Sequence, residues 1–223
     1  MDQSAHLRQF DVPLFPLCGV VLLPRAILPL HIFEERYKLM AADAVVGPKR
    51  IAMALLRPGW EKDYYSRPAI HPVVCVGQIL SHEKLPDGNY NFLLQGIARA
   101  RILDERIVNM YRLATVARLP ELPCMEIDLA GERQRLIYMF NDGPLSDLPI
   151  VRQFRQMLAS PVSTSDIADL IAFNLFDDVA EKQSLLENAD ARLRVPRVIQ
   201  QLETLRPRLE AQGRRMATRP GLN

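Results

Sequence analysis

The stretch that decides the fold is Val12-Pro13-Leu14-Phe15-Pro16-Leu17, followed by Val20-Val21-Leu22-Leu23-Pro24 and by Leu28-Pro29-Leu30-His31-Ile32-Phe33-Glu34-Glu35-Arg36-Tyr37. Its prolines divide an apolar run into short pieces, because each proline fixes φ, lacks an N–H donor and disfavours helix at the preceding residue. The pieces are therefore predicted to be extended, and the run excludes a transmembrane helix. Phe33, Tyr37 and Met40 are spaced as on a short amphipathic helix, which is predicted to follow the last piece.

Composition narrows the class of protein. The 223 residues are enough for one large or two small domains, and 48% hydrophobic residues can supply a packed core. A net charge of +2, from 28 basic and 26 acidic residues, argues against an extended nucleic-acid-binding face. Three cysteines without CxxC spacing argue against a disulfide framework or a zinc knuckle. Residues 1–9 are polar and predict no secretory signal, so we expect a soluble, cytoplasmic protein.

The period of the apolar residues changes near the middle of the chain. Short apolar runs separated by turn signals predict a β-rich domain over residues 10–120. Its later strands are predicted at residues 51–56, 73–80, 90–94, 98–103 and 111–116. Beyond a proline-containing linker at 119–123 the spacing becomes helical, which predicts helices over residues 124–212. Residues 213–223 lack an apolar stripe and are predicted to be disordered.

Polar residues predict where several helices begin. Ser163 followed by Asp166 is typical of a capping box, and Asp178 followed by Glu181 predicts the start of the next helix. Pro196 is expected in the first turn of the last helix, because proline is tolerated where the N–H has no helical partner.

Three blocks of this sequence resemble the amino-terminal, substrate-binding domain of the Lon proteases. The first block runs from Pro13 to Tyr37, with Arg25 and Ala26 where the family usually has glycine. The second block is residues 76–102 with a Pro-Asp-Gly-Asn turn, and the third lies within residues 166–193. The resemblance implies an α+β fold, in which a PUA-like six-stranded β pseudo-barrel with one helix at residues 33–44 is followed by a C-terminal helical bundle.

The motif residues of these blocks are interpreted as residues that build the fold. They are Pro13, Phe15, Pro16, Pro24, Pro29, His31, Phe33, Glu34, Arg36, Tyr37, Gly96 and Arg99. His31, Glu34 and Arg36 could also be interpreted as an acid–base cluster, because a histidine beside a carboxylate can move protons near neutral pH. We favour the structural interpretation, with His31 bonded to backbone, Glu34 at a helix start and Arg36 in an ion pair.

Catalytic motifs are missing from the sequence. The chain contains neither the G-x-x-x-x-G-K-[ST] phosphate cradle nor the G-x-S-x-G nucleophile elbow. His82-Glu83 begins like the zinc motif H-E-x-x-H, but Pro86 occupies its closing position. We therefore predict a protein that is not an enzyme, with no catalytic, cofactor-binding or metal-binding residues.

One loop has the composition of a contact surface. Residues 58–68 place Trp60, Tyr64 and Tyr65 in a charged, turn-rich segment, where large amphipathic rings can anchor a partner. These three residues are the predicted partner-binding residues. The alternative is that Trp60 folds back and covers the end of the barrel.

The resemblance implies a non-catalytic module that recognises polypeptide segments, as an adaptor or a chaperone-like binder, alone or with a separate protease. The alternative function is an RNA-binding PUA-like module, because PUA-like barrels in other families bind RNA. Arg99, Arg101, Arg106 and the arginine-rich tail support this alternative, whereas the low net charge argues against it. No membrane partner is expected.

Overall fold

The computed structural model describes residues 9–64, 66–143, 145–146 and 151–217, and their fold is α+β. The strands are β1 (Gln9–Leu17), β2 (Ile27–Ile32), β3 (Arg50–Leu55), β4 (Val73–Lys84), β5 (Tyr90–Val108) and β6 (Tyr111–Arg118). The α-helices are α1 (Glu35–Val46), α2 (Ala130–Asn141), α3 (Val151–Leu158), α4 (Thr164–Leu175), α5 (Val179–Glu187) and α6 (Ala191–Ala217). Contacts divide the chain into unit 1, which comprises Met1–Pro120 and Leu175–Ala189, and unit 2, which comprises Glu121–Asn174 and Asp190–Asn223.

The six strands form one mixed sheet in the order β2-β5-β4-β3-β1-β6. Because β5 also pairs with β6, the strands from β5 to β6 close into a ring, and β2 is attached to it at β5. Only the β1–β3 pair is parallel among these pairings.

The prolines of β1 are placed where the strand has one partner. Residues 9–14 of β1 pair with β6 and residues 14–17 pair with β3, so only Leu14 pairs on both sides. Pro13 and Pro16 lie on opposite sides of this crossing point. A missing N–H is therefore tolerated at both positions, as it is on an edge strand.

The core of the sheet is made of small and β-branched side chains. Its buried members are Val12, Leu14, Ala52, Ala54, Val74, Val76, Ala100, Ala114 and Val116. Alternate residues of each strand point to the same face, so these members recur at every second position. Small alanines leave room for the facing valines and leucines inside a closed sheet.

The long strand β5 corrects one prediction. The sequence predicted two strands, at residues 90–94 and 98–103, whereas the structure has one strand from Tyr90 to Val108. The strand continues through Gly96 without a turn, and a register shift opposite it, between Val76 and Gly77 in β4, interrupts the regular pairing as a β-bulge does. The first half of β5 pairs with β2 and the second half with β6.

Polar caps start two helices where the sequence predicted them. The Ser163 hydroxyl accepts a hydrogen bond from the Asp166 N–H at 3.0 Å. Asp178 Oδ1 accepts from the N–H groups of Ala180 at 2.8 Å and Glu181 at 3.2 Å. The last helix differs from the prediction, because α6 begins at Ala191 and places Pro196 beyond its first turn.

The assignment of α5 differs from the predicted domain limits. The sequence grouped residues 124–212 together, but contacts group Leu175–Ala189 with unit 1. The Gln183 side chain donates to the Val73 carbonyl at 2.9 Å, and His71 Nδ1 lies 3.1 Å from Glu187 Oε1. The first bond holds α5 on β4, and the second holds it on the segment just before β4.

The end of the chain also differs from its prediction. Residues 213–217, expected to be disordered, continue α6 to Ala217, whereas residues 218–223 lie outside the described residues. None of the described helices is both long and apolar enough to cross a membrane.

A buried ionic network lies within unit 2. The Arg194 side chain is completely buried, and its Nε donates to Asp169 Oδ1 at 3.0 Å. Its second terminal nitrogen donates to Glu121 and to the Ser165 hydroxyl. The linker residue Glu121 is thereby fixed to both α4 and α6.

Candidate functional site

An arginine stacked between two tyrosine rings occupies one end of the closed sheet in unit 1. The Arg36 guanidinium lies 4.6 Å from the ring centroid of Tyr37 and 4.8 Å from that of Tyr64. Arg36 Nε donates to Glu34 Oε2 at 3.1 Å, and Arg36 also donates to the Tyr64 carbonyl at 3.1 Å. The Tyr64 hydroxyl donates to the other oxygen of Glu34. Tyr37 in turn packs on Phe15, with ring centroids 4.6 Å apart.

This cluster joins the family motif to the aromatic loop that the sequence singled out. Trp60 opens the short helix Trp60–Asp63 and meets the edge of Tyr64, with centroids 5.4 Å apart. Trp60 and Tyr64 are both partly exposed, and Tyr65 lies outside the described residues. Tyr64 therefore has a packing role whatever its part in binding, and that part stays a prediction for all three residues.

A pocket opens beside the cluster, and we call it the Arg36 pocket. Its polar lining comes from three tyrosines, two arginines and a serine, namely Tyr37, Tyr64, Tyr111, Arg36, Arg112 and Ser66. Ile107 and Met110 add two apolar side chains that are 56% and 66% exposed. The Arg112 guanidinium is held by Glu105 and donates to the Pro68 carbonyl at 2.8 Å. The pocket thus offers apolar and aromatic surface around cations that already have partners.

The tyrosines of the Arg36 pocket are kept protonated. Burial, together with the hydrogen bond to Asp43, raises the pKa of Tyr111 to about 12. Burial also raises the pKa of Tyr37, and burial with the hydrogen bond to Glu34 raises the pKa of Tyr64. Neutral rings with fixed hydroxyl groups suit contact with apolar and peptide groups, and they supply no general base near neutral pH.

A second open surface of unit 1, the His31 groove, is lined by residues 29–31 of β2, 81–83 of β4 and 91–93 of β5. His31 Nδ1 lies 2.8 Å from Asn91 Oδ1, and Asn91 donates to Glu83 at 3.4 Å. The His31 ring stacks on Phe33, which is 63% exposed. The prediction that His31 bonds to the backbone is therefore wrong, because its ring nitrogen contacts the Asn91 side chain instead.

The motif residues divide between the interior and the surface. Phe15, Pro16, Pro24, Tyr37, Gly96 and Arg99 are buried, and Pro13, Glu34 and Arg36 are partly buried. Pro29, His31 and Phe33 are exposed on the His31 groove side of β2 and just after it. The proposed acid–base cluster is thus divided, because Glu34 and Arg36 contact Tyr64 whereas His31 contacts Asn91.

Among the described residues, Arg99, Arg101 and Arg106 do not form one exposed arginine patch. Arg99 is only 3% exposed, and a terminal guanidinium nitrogen of Arg106 lies 2.6 Å from Asp11 Oδ2. That hydrogen bond and the one from Thr115 lower the pKa of Asp11, so the pair stays ionised at neutral pH. Among the described residues, no three His, Cys, Asp or Glu side chains lie close enough together to hold a metal ion.

Sequence reasoning missed the hairpin residues at the rim of the Arg36 pocket. The β5–β6 turn has left-handed backbone at Asn109 (φ 47°) and Met110 (φ 72°), and this turn brings Met110 to the rim. Asn109 is a usable signal, since asparagine favours this conformation. The exposed Leu93 was also missed, although consecutive apolar residues in a strand cannot all point inward.

Comparisons with known proteins all point to the same family. The sequence model of the ATP-dependent protease La (LON) substrate-binding domain matches residues 11–204. The chain is 25% identical over 191 residues to a Lon protease of Desulfosudis oleivorans, covering 86% of this chain and 23% of that protein. It is 29% identical over 189 residues to a Lon protease of Trichlorobacter lovleyi, again covering 23% of the relative. The chain thus spans about a quarter of the length of these curated relatives.

Solved structures show the same fold. The N-terminal domain of a Mycobacterium avium complex Lon protease superposes with a TM-score of 0.67 at 16% identity, covering 86% of this chain and 97% of that chain. A Lon N-terminal domain protein from Xanthomonas campestris gives a TM-score of 0.61 at 20% identity, covering 85% and 97%. The predicted α+β class is confirmed.

Proposed function

We propose, because the chain belongs to the Lon substrate-binding domain family, that it recognises polypeptide segments and catalyses no reaction itself. The match of the family to residues 11–204 is the observation that carries this proposal. We propose more specifically that the protein acts as an adaptor or a chaperone-like binder, with a separate protease as one partner. We also propose that the closed sheet is a PUA-like pseudo-barrel and that the helices of unit 2 form a bundle.

The Arg36 pocket is the proposed place of capture for an apolar side chain of the client. Ile107 and Met110 expose apolar surface at its rim, and Trp60 reaches the cluster from the loop. Aromatic and apolar anchors at a concave site dominate many interfaces. The Glu34–Arg36–Tyr64 bonds fix the pocket wall before a client arrives, which lowers the entropic cost of binding.

Binding to a permanently unfolded client tests this proposal. Reduced, carboxymethylated α-lactalbumin is titrated with the full chain, and affinity is measured by fluorescence anisotropy. Truncation of an aromatic anchor costs about 2 kcal/mol or more, or roughly thirtyfold in affinity, so Trp60→Ala and Met110→Asp should each weaken binding strongly. Tyr138→Ala is the matched control, because Tyr138 is 60% exposed on α2 of unit 2. Equal loss in the control, or no loss in either Met110→Asp at the pocket rim or Trp60→Ala beside Tyr64, would reject the Arg36 pocket.

Tyr64 needs a gentler change than alanine. Tyr64→Phe keeps the ring over Arg36 and removes only the hydroxyl that bonds Glu34. Binding that survives Tyr64→Phe but falls with Trp60→Ala would assign capture to the indole.

The absence of catalysis is tested separately. Purified full chain should neither hydrolyse ATP nor cleave casein in the presence of ATP and Mg²⁺. Activity that co-elutes with the chain and is lost on substitution of one of its own residues would contradict the proposal.

A further inference from the structure

A polar row crosses the three strands of the His31 groove. His31 of β2 is the cross-strand neighbour of Asn91 in β5, and Asn91 is the neighbour of Glu83 in β4. The side chains are bonded in sequence, from His31 to Asn91 at 2.8 Å and from Asn91 to Glu83 at 3.4 Å. The row therefore ends in a carboxylate on the open side of the sheet.

An apolar row lies two residues away along the strands. Pro29 of β2 is the neighbour of Leu93 in β5, which is 42% exposed. A register shift in β4 leaves Leu80 as an extra residue beside Leu93, and Leu80 is 51% exposed. One further step along β2 lies Ile27, which is 49% exposed. The groove thus has an apolar half and an anionic end.

Glu83 is exposed at the end of the polar row. It has no ion-pair partner among the described residues. The adjacent Lys84 points elsewhere, with its ammonium nitrogen 5.7 Å from the Tyr90 ring centroid. His82, on the other side of Glu83 in the chain, turns its ring to Phe92 with centroids 6.2 Å apart. The one carboxylate that lines the groove is therefore available to a cation from outside.

We propose that the His31 groove binds an extended polypeptide segment in which an apolar side chain and a lysine or arginine are separated by one residue. Side chains at i and i+2 of an extended chain lie on one face, roughly 7 Å apart, which equals the separation of the two rows. The apolar side chain covers Leu93 and Pro29, and the cation pairs with Glu83. This inference rests on the proposed polypeptide recognition, to which it adds a second surface and a class of client.

The peptide is positioned along the groove by side-chain contacts and not by backbone hydrogen bonds to the edge of β2. The Gly96 N–H donates to the Ala26 carbonyl at 2.9 Å, so in the alternating ladder the backbone groups of Ile27, Pro29 and His31 face the free edge of β2. Pro29 has no N–H there, and a strand added along this edge would lose a hydrogen bond at its centre. The face of the sheet, unlike its edge, carries both the apolar and the anionic row.

Peptides of equal composition and different spacing test the proposal. Capped Thr/Ser peptides carry either Leu-x-Lys, Lys-x-Leu or adjacent Leu-Lys, and they are titrated into the ¹⁵N-labelled full chain at low ionic strength. An adjacent pair places leucine and lysine on opposite faces of an extended chain. At least one of the spaced peptides should bind more tightly than the adjacent peptide, with amide shifts concentrated in β2, β4 and β5.

Substitutions at Glu83 identify the cation contact. Glu83→Gln should remove the preference for the spaced peptide, which an exposed ion pair sets at about two- to fivefold. Glu83→Lys should reverse it, so that Leu-x-Glu becomes the better ligand. Asp104→Asn is the control, because Asp104 is an exposed carboxylate on the distant half of β5.

Leu93→Asp tests the apolar contact, and Leu103→Asp is its matched control on the same strand, at 48% exposure. Leu93→Asp should abolish the peptide-induced amide shifts, whereas Leu103→Asp should leave them unchanged. The inference is overturned if the preference for the spaced peptide survives both Glu83→Gln and Leu93→Asp. In that case the unfolded client still binds, so the proposed function stands. Loss of self-association in Leu93→Asp, with no peptide effect, would assign the face to a second copy and also overturn it. If neither peptide nor unfolded client binds, the proposed function fails as well.

Discussion

Replacement of Gly96 by alanine should destabilise the protein by about 4 kcal/mol, as estimated from overpacking and lost hydrogen bonds. A Cβ at this position would lie 2.2 Å from the Leu23 carbonyl oxygen and 3.1 Å from Cys75 Sγ. Since heavy atoms pack at about 3.5 Å, the backbone at Leu23 must move away by roughly 1 Å. That movement breaks the bonds from Arg25 N–H to Gly96 O at 2.8 Å and from Gly96 N–H to Ala26 O at 2.9 Å.

The magnitude follows from two contributions. Overpacking of a tight site costs about 1–3 kcal/mol, and two lost hydrogen bonds cost about 1–3 kcal/mol together. At about 2–4 °C for each kcal/mol in a chain of this size, the melting temperature should fall by about 8–16 °C. Differential scanning calorimetry of the full chain measures the change.

A glycine in open space provides the control. A Cβ at Gly131, near the start of α2, meets nothing within 4 Å. Gly131→Ala should therefore leave the melting temperature unchanged or raise it slightly, because alanine favours helix by about 1 kcal/mol. A melting temperature for Gly96→Ala within about 2 °C of the parent, less than 1 kcal/mol on the same scale, would refute the reasoning that close backbone approach requires this glycine.

Three further changes probe other parts of the chain. Arg194→Ala leaves Asp169 buried without its cation and should cost about 3–5 kcal/mol by urea unfolding. Arg192→Ala removes an exposed arginine from its pair with the partly buried Asp190 and should cost less than about 1 kcal/mol, and equal costs would contradict the burial argument. Arg25→Gly should raise stability by up to about 1 kcal/mol, because Arg25 is held at φ 67°, and a loss of stability would show that its side-chain contacts outweigh the strain. Burial and Asp43 raise the pKa of Tyr111 from 10.0 to about 12, so its stabilisation is complete below pH 10 and is lost as pH rises toward 12. Absorbance titration at alkaline pH should show Tyr111 among the late-titrating tyrosines, which also include Tyr37 and Tyr64, and Tyr111→Phe should reduce the late absorbance change by one tyrosine.

The proline-rich opening made the first elements predictable, whereas the closure of the sheet was not. Turn signals and apolar runs placed strands at Ile51 and Tyr111, because these cues are local in sequence. The pairing of β5 with β6, which closes the ring, depends on contacts that no period reveals. Gly96 was expected to matter, but only the approach of Leu23 explains why.

The candidate surfaces were half visible in the sequence. Trp60 and Tyr64 stood out because rings in a charged loop are unusual, and the motif already contained Glu34 and Arg36. The contact of Tyr64 with the Arg36 guanidinium could be seen only in the tertiary structure, since the two residues lie 28 positions apart in the sequence. The exposure of His31 was equally hidden, because a motif does not state which of its side chains face outward.

The path of the chain through its two units has a consequence for biosynthesis. Unit 1 is interrupted after Pro120 and is completed by Leu175–Ala189. A ribosome adds the intervening 69 residues, from 121 to 189, in about 3–14 s at 5–20 residues per second. During that interval β4 has emerged without the helix that covers its Val73 carbonyl, and the nascent sheet is exposed to chaperones and proteases. A purified chain truncated near residue 121 should therefore be protected from proteolysis less well than one truncated at residue 189.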